Sequence, residues 1–152
     1  MIRILFVCHG NICRSAAAQY VMQKLVKEAG AEDRFFIDSA GTSAEERGNP
    51  VYPPMERVLR AHDVPCGGHR ARQITRRDGE DFDLLIGMDE ANLRNLRRMF
   101  GGEKVSLLMD YTGLPREVAD PWFTRGFEET YEDVLEGCRA LLQFCLRKSG
   151  EA

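Results

Sequence analysis

Residues 2–15 read Ile2-Arg3-Ile4-Leu5-Phe6-Val7-Cys8-His9-Gly10-Asn11-Ile12-Cys13-Arg14-Ser15. The first six are almost continuously apolar, the pattern of a strand buried on both faces. From Ser15 the period changes: Ala18, Val21, Met22, Leu25 and Ala29 share one helical face, and Gly30 ends it. A buried strand feeding an amphipathic helix opens a strand–helix–strand unit, and the rest of the chain repeats it. Residues 35–37 form a second short strand, ending at Asp38-Ser39-Ala40-Gly41. Met55, Val58, Leu59 and His62 share a helical face after Pro53-Pro54. Residues 82–88 read as a third strand, and Asp89 caps a helix carrying Leu93, Leu96 and Phe100 that stops at Gly101-Gly102. Residues 105–109 are a fourth strand, and 111–123 have no clear period. Phe127, Tyr131, Val134, Leu135, Cys138, Leu141, Leu142 and Cys145 mark a last helix, acidic at its start and basic at its end. The pattern predicts one α/β domain over residues 1–152, a parallel sheet with helices on both faces.

Composition narrows the function. At 152 residues, 43% hydrophobic and 30% charged, the chain closes a core and is no disordered tail. A net charge of -3 argues against a nucleic-acid partner. No run of eighteen apolar residues exists, so no membrane span is expected, and the apolar start is too short for a signal peptide. The expected location is the cytoplasm. Five cysteines, an odd count, read as free thiols in a reducing compartment. Their spacing completes no four-ligand zinc set, so neither metal nor cofactor is expected.

In doubly wound sheets the ligand site lies beyond the carboxyl ends of the strands, which directs attention to the segments after Val7, Ile37, Ile86 and Met109. The first carries Cys8, five residues, then Arg14-Ser15. A short loop entering a helix N-terminus turns its backbone N–H groups inward as an anion nest. Arg14 adds a planar fork matched to two phosphate oxygens. Gly10 relieves the sterics of the loop, and Asn11 tolerates left-handed backbone. Cys8 at the floor meets the helix dipole, the N–H groups and Arg14, all of which favour its thiolate, and Ser15 can give it a hydroxyl hydrogen bond. A nucleophile beneath an oxyanion cradle suits phosphoryl transfer through a phosphocysteine, with protein donors neutralising the charge. A passive cysteine at a strand end would leave Gly10, Asn11, Arg14 and Ser15 unexplained. Asp120-Pro121-Trp122-Phe123 offers an acid for the leaving group beside rings that can pack on a phenyl, although an Asp-Pro before a helix is by itself a turn or cap.

These segments, together with His69-Arg70-Ala71-Arg72-Gln73 and Met88-Asp89-Glu90-Ala91-Asn92, resemble the low-molecular-weight protein tyrosine phosphatases over essentially the whole chain. The resemblance implies a three-layer sandwich on a four-stranded parallel sheet of order 2-1-3-4. It implies hydrolysis of protein phosphotyrosine and aryl phosphate monoesters, with Cys8 as nucleophile, Arg14 as phosphate fork and Asp120 as general acid and then base. His9, Gly10, Asn11, Ile12, Cys13 and Ser15 would hold the phosphate, and Trp122 and Phe123 the substrate ring. Asn11, Ser15, Ser39 and His69 would form a hydrogen-bond network behind the loop, and Cys8 and Cys13 a protective disulfide under peroxide. Partners would be phosphoproteins, tyrosine kinases among them, with the protein a monomer or weak dimer. Without the resemblance, His69 reads as a surface loop residue and Ser39 as a strand-end cap. Asp89 and Asn92 are best explained as an N-cap and a first-turn residue.

The chain departs from the family pattern in places. Ala16 stands where proline is common, Gln19 where glutamate is, and His9 is unusual in the loop. Ser43-Ala44-Glu45-Glu46-Arg47 lacks the aromatic wall of some relatives. Protein arginine phosphatases, close relatives, tend to carry threonine at the position of Ile12, whose bulk favours tyrosine. Arsenate reductases on this scaffold carry a cysteine pair after the third strand, where this chain has Gly87-Met88-Asp89-Glu90.

Overall fold

The computed structural model describes residues 1–148. Strands β1 (Ile2–Cys8), β2 (Phe35–Gly41), β3 (Leu84–Gly87) and β4 (Val105–Leu107) form a parallel sheet of order β2-β1-β3-β4. Ile4 lies between Ile37 and Leu84 in the register. Residues 4–8 are all buried, alternating between two cores. Ile4, Phe6 and Cys8 face α1 (Arg14–Glu28), α2 (Pro53–Ala61) and α6 (Phe127–Lys148). Leu5 and Val7 face Leu96 of α4 (Glu90–Phe100), with Ile74, Phe82 and Leu85. This is why the opening strand is apolar at consecutive positions: neither face sees water.

Element ends deviate from the sequence pattern for local reasons. β2 runs on to Gly41 because the Gly41 N–H donates to the Arg72 carbonyl and the Ile74 N–H to the Gly41 carbonyl, each at 2.8 Å. β4 stops at Leu107, whose N–H goes to Asp110 Oδ2 at 2.9 Å and starts a 3-10 turn over Leu108–Thr112. β3 begins at Leu84, since Phe82 ends the four-residue α3 (Asp78–Asp81), which is too short to show a period. The aperiodic stretch holds one more short helix, α5 (Pro121–Thr124). Gly41 also permits a close approach: a Cβ there would lie 2.7 Å from the His9 carbonyl oxygen. The end of β2 thus forms the seat of the loop after β1.

The strand order reverses at β1. The chain leaves it for β2 on one side and crosses to β3 on the other, opening a crevice at the carboxyl end of β1. No helix among the described residues is long and apolar enough to cross a membrane.

On the far side α6 packs closely on the 3-10 turn. A Cβ at Gly137 would fall 2.5 Å from Cγ of Leu108, which is fully buried and cannot yield. Gly137→Ala is expected to destabilise the fold by about 1–3 kcal/mol despite its better helix propensity, read from the urea midpoint.

Candidate active site

α1 begins with its N-terminal amides uncapped: no side chain caps Cys13, and no acidic residue occupies the first turn. Those donors face the loop, the arrangement that receives an anion. Asn11 has φ 63°, left-handed, and is fully buried. Its side-chain orientation is fixed by its partners. Oδ1 accepts from the Arg72 N–H at 3.1 Å, so Nδ2 is the donor to Ser15 Oγ and Ser39 Oγ, each at 2.9 Å. Ser39 Oγ then donates to Gln19 Oε1. Ser15 Oγ, which accepts from Asn11, lies 3.0 Å from Cys8 Sγ and can give its hydrogen to that sulfur, and the Ser15 N–H approaches the same atom at 3.5 Å. The network therefore has two branches from Asn11: one runs through Ser15 to the Cys8 sulfur, and the other through Ser39 to Gln19 anchors the loop.

His69 supports the loop from behind. Its Nε2–H donates to the Asn11 carbonyl at 2.7 Å, and its Nδ1 accepts from the Tyr20 hydroxyl at 2.9 Å. That assigns the neutral Nε2–H tautomer. Arg72 is itself held by Asp38 and by both oxygens of Asp78.

Arg14 is 3% exposed and reaches three acceptors. Its Nη1 donates to Asp89 Oδ2 at 2.8 Å and to the Val118 carbonyl at 2.9 Å, and its Nη2 lies 3.5 Å from Asp120 Oδ2. Burial opposes the Arg14 charge, but Cys8, Asp89 and Asp120 more than offset it and push its pKa up. Burial likewise works against the Asp89 carboxylate, yet the Asn92 N–H and Arg14 hold its pKa below the usual range. Asp89 is the expected N-cap of α4, in a reciprocal box with Asn92, and also the anchor of Arg14. The sequence reading gave it only the first role; its position beyond the carboxyl end of β3 was the available signal. Asp120 likewise combines two roles: Oδ1 caps α5 by accepting from the Trp122 N–H at 3.0 Å, while Oδ2 faces Arg14.

A cavity of about 250 Å³ opens over the loop. It is lined by Cys8, His9, Gly10, Ile12, Cys13 and Arg14 of the loop, by Glu45 and Glu46, and by Asp120, Trp122 and Phe123. The side chains of Asn11, Ser15, Ser39 and His69 lie behind the loop, within the network, rather than in the cavity. His9 is exposed at the rim, 3.6 Å from Glu45. All five cysteines are free thiols. Burial, then Cys8 and Asp120, push the Cys13 thiol up to about 12.

An α/β sheet with an uncapped helix end, a buried cysteine at the loop floor and a buried arginine fork defines a phosphate-loop protein. The sequence model of the family described as "Low molecular weight phosphotyrosine protein phosphatase" matches residues 3–151. The low molecular weight protein-tyrosine-phosphatase YfkJ of Bacillus subtilis is 38% identical over 147 residues, covering 93% of this chain and 94% of its own. The human low molecular weight phosphotyrosine protein phosphatase is 38% identical over 150 residues, covering 92% and 93%. The crystal structure of YfkJ superposes with a TM-score of 0.93 at 36% identity, covering 98% of this chain and 96% of that one. The chain belongs to the low molecular weight phosphotyrosine protein phosphatase family.

Two outcomes test this geometry. Burial lowers the His69 pKa from its ordinary 6.5, with the Asn11 carbonyl partly opposing. Below about pH 6.5 the unfolded chain binds a proton that the folded chain resists, so this contribution to stability is complete above that pH and is lost below it. In urea titrations, the stability gap between the parent and His69→Gln should narrow from pH 7 to pH 5; a constant gap refutes the linkage. Asp89→Ala, which frees Nη1 of Arg14, should lower phosphatase kcat/KM by about 10- to 100-fold, in line with the misplacement of a charge-stabilising donor.

Proposed function

We propose that residues 1–152 form one catalytic domain that hydrolyses protein phosphotyrosine and aryl phosphate monoesters through a phosphocysteine. The observation that carries this reading is the convergence on Cys8 Sγ of the Ser15 hydroxyl and Ser15 N–H at the start of α1, with the buried Arg14 fork lining the same cavity. The sulfur attacks phosphorus, forming an S–P bond as the P–O bond to the phenol breaks. Arg14 and the loop N–H groups take the charge on the three equatorial oxygens. Asp120, at the mouth, gives its proton to the departing phenolate. Its carboxylate then takes a proton from water, which attacks phosphorus; the S–P bond breaks, releasing inorganic phosphate and restoring the thiolate.

Cys8 is only 4% exposed, so the phosphoryl group must be carried in on a long, flat side chain, which favours phosphotyrosine over a short aliphatic ester. Ile12 lines the cavity and is buried, and its branched bulk favours a phenyl over a phosphoguanidinium. Free thiols fit the cytoplasm as the place of action. The nearness of Cys13 to Cys8 in one loop supports their pairing as a disulfide under peroxide, with the Cys13 thiol attacking an oxidised Cys8.

With EDTA present, the parent should hydrolyse phosphotyrosine peptides well ahead of phosphoserine and phosphoarginine peptides. Cys8→Ser should abolish turnover, and Arg14→Ala should cost about 10²–10³-fold, as for loss of a donor to developing oxyanions. Asp120→Asn should cost about 10²–10⁴-fold on phenyl phosphate but far less on p-nitrophenyl phosphate, whose leaving group needs little protonation. Undiminished hydrolysis after alkylation of Cys8, or rapid-quench samples with no phosphate on Cys8, would overturn the scheme.

A further inference from the structure

Trp122 is the only tryptophan in the chain and stands about half exposed at the cavity mouth. Its ring centroid lies 5.0 Å from that of Tyr52, and the Tyr52 ring lies 5.9 Å from Phe127 at the start of α6. The Tyr52 backbone is tied to the phosphate loop, its N–H donating to the Ile12 carbonyl at 3.0 Å. One residue thus touches the loop with its amide and the acid-bearing segment with its ring. The connection continues inward, because the Trp122 N–H is the donor on Asp120 Oδ1. Residues 43–47 bring no ring to share the work: they contain none, and it is Glu45 and Glu46 from that segment that line the cavity. Phe123 is 82% exposed, too free to form a fixed wall. A half-exposed indole samples several rotamers unless something packs against it, and Tyr52 is in place to do so.

We propose that Tyr52 is a positioning residue: its ring holds Trp122 as the single aromatic wall of the site and, through the Trp122 amide, steadies Asp120 over the leaving group. The proposal rests on the phosphatase reading above and adds the residue that sets its preference for aryl over alkyl phosphates. It follows that Tyr52 acts through its ring and not its hydroxyl.

The test uses two non-hydrolysable probes, benzylphosphonate and methylphosphonate, with binding followed by Trp122 fluorescence and by calorimetry. The ratio of the two affinities measures the wall without any turnover. Tyr52→Leu should reduce the benzyl-over-methyl ratio about three- to tenfold, the size of one aromatic pair contact, whereas Tyr52→Phe keeps it within about twofold. In turnover, Tyr52→Leu should lose more kcat on phenyl phosphate than on p-nitrophenyl phosphate, with Tyr52→Phe restoring both. If Tyr52→Leu does not fold, Tyr52→Met, nearer in volume, carries the same comparison. An unchanged affinity ratio, an equal loss on the two esters, or a Tyr52→Phe variant as impaired as Tyr52→Leu would each overturn the proposal. A parent that binds both phosphonates yet hydrolyses neither ester would sink the phosphatase reading instead, and the affinity ratio would still decide the role of Tyr52.

Discussion

The left-handed backbone of Asn11 is the constraint around which the site is organised. An L-residue in this region costs about 1–2 kcal/mol, less for asparagine. Asn11 meets that cost with its carbonyl and both side-chain polar atoms, in four hydrogen bonds of which three are buried, each of net worth about 1 kcal/mol. Together the bonds outweigh the cost of the torsion, and removing one partner leaves a buried polar group unpaired, a penalty of about 1–3 kcal/mol. The turn at Asn11 is also what brings the chain back to start α1 above Cys8. The placement of Cys8 and of the loop around it therefore follows from one backbone torsion, and that torsion is fixed from two distant segments, by Ser39 at the end of β2 and by His69 and Arg72 in one loop.

Arg14 is the second dependency. A guanidinium with 3% exposure carries a desolvation penalty of several kcal/mol unless it is paired. Its two terminal nitrogens divide the work. Nη1 has full hydrogen bonds to Asp89 and to the Val118 carbonyl, which fix the plane of the fork. Nη2 is 3.5 Å from Asp120, beyond a good hydrogen bond, so its donors are available to an incoming phosphate. The same side chain spans the end of β3 and the segment before Asp120, so the proposed phosphate fork and the proposed acid share one anchor.

Much of this was legible in the sequence. The apolar run over β1 and the change of period after it define a doubly wound sheet without further help, because burial on both faces leaves a visible pattern. The octet from Cys8 to Ser15 pointed to the cavity for a similar reason: few other uses explain those residue types at a strand-to-helix junction, and the structure places Cys8, Gly10, Ile12, Cys13 and Arg14 in its lining. What could not be read were contacts between segments far apart in the chain. Asp89 looked like a helix cap because that local role is complete in itself, and only the fold shows its second oxygen meeting a side chain 75 residues earlier. The contacts of Tyr20, Gln19 and Tyr52 were invisible for the same reason, since nothing in their neighbours along the chain signals a partner. Helix α3 and the turn after β4 were missed because one turn of helix has too few residues to display a period.

The cavity is electrically uneven, and magnitudes decide which part governs reaction. His9, Glu45 and Glu46 stand at the rim, where exposed pairs contribute about 0–1 kcal/mol and are screened over roughly 8 Å at physiological salt. Cys8 and Arg14 lie at the floor with almost no solvent, where the same charges interact several times more strongly. The rim can therefore tune which phosphoproteins approach and how salt affects their arrival, but it cannot supply or cancel the stabilisation of a phosphoryl group in transit. That stabilisation resides in the buried half of the site, which is also the half that the hydrogen-bond network holds rigid. Variation at positions 43–47 can thus redirect substrate choice while the floor, and with it the reaction, stays as it is.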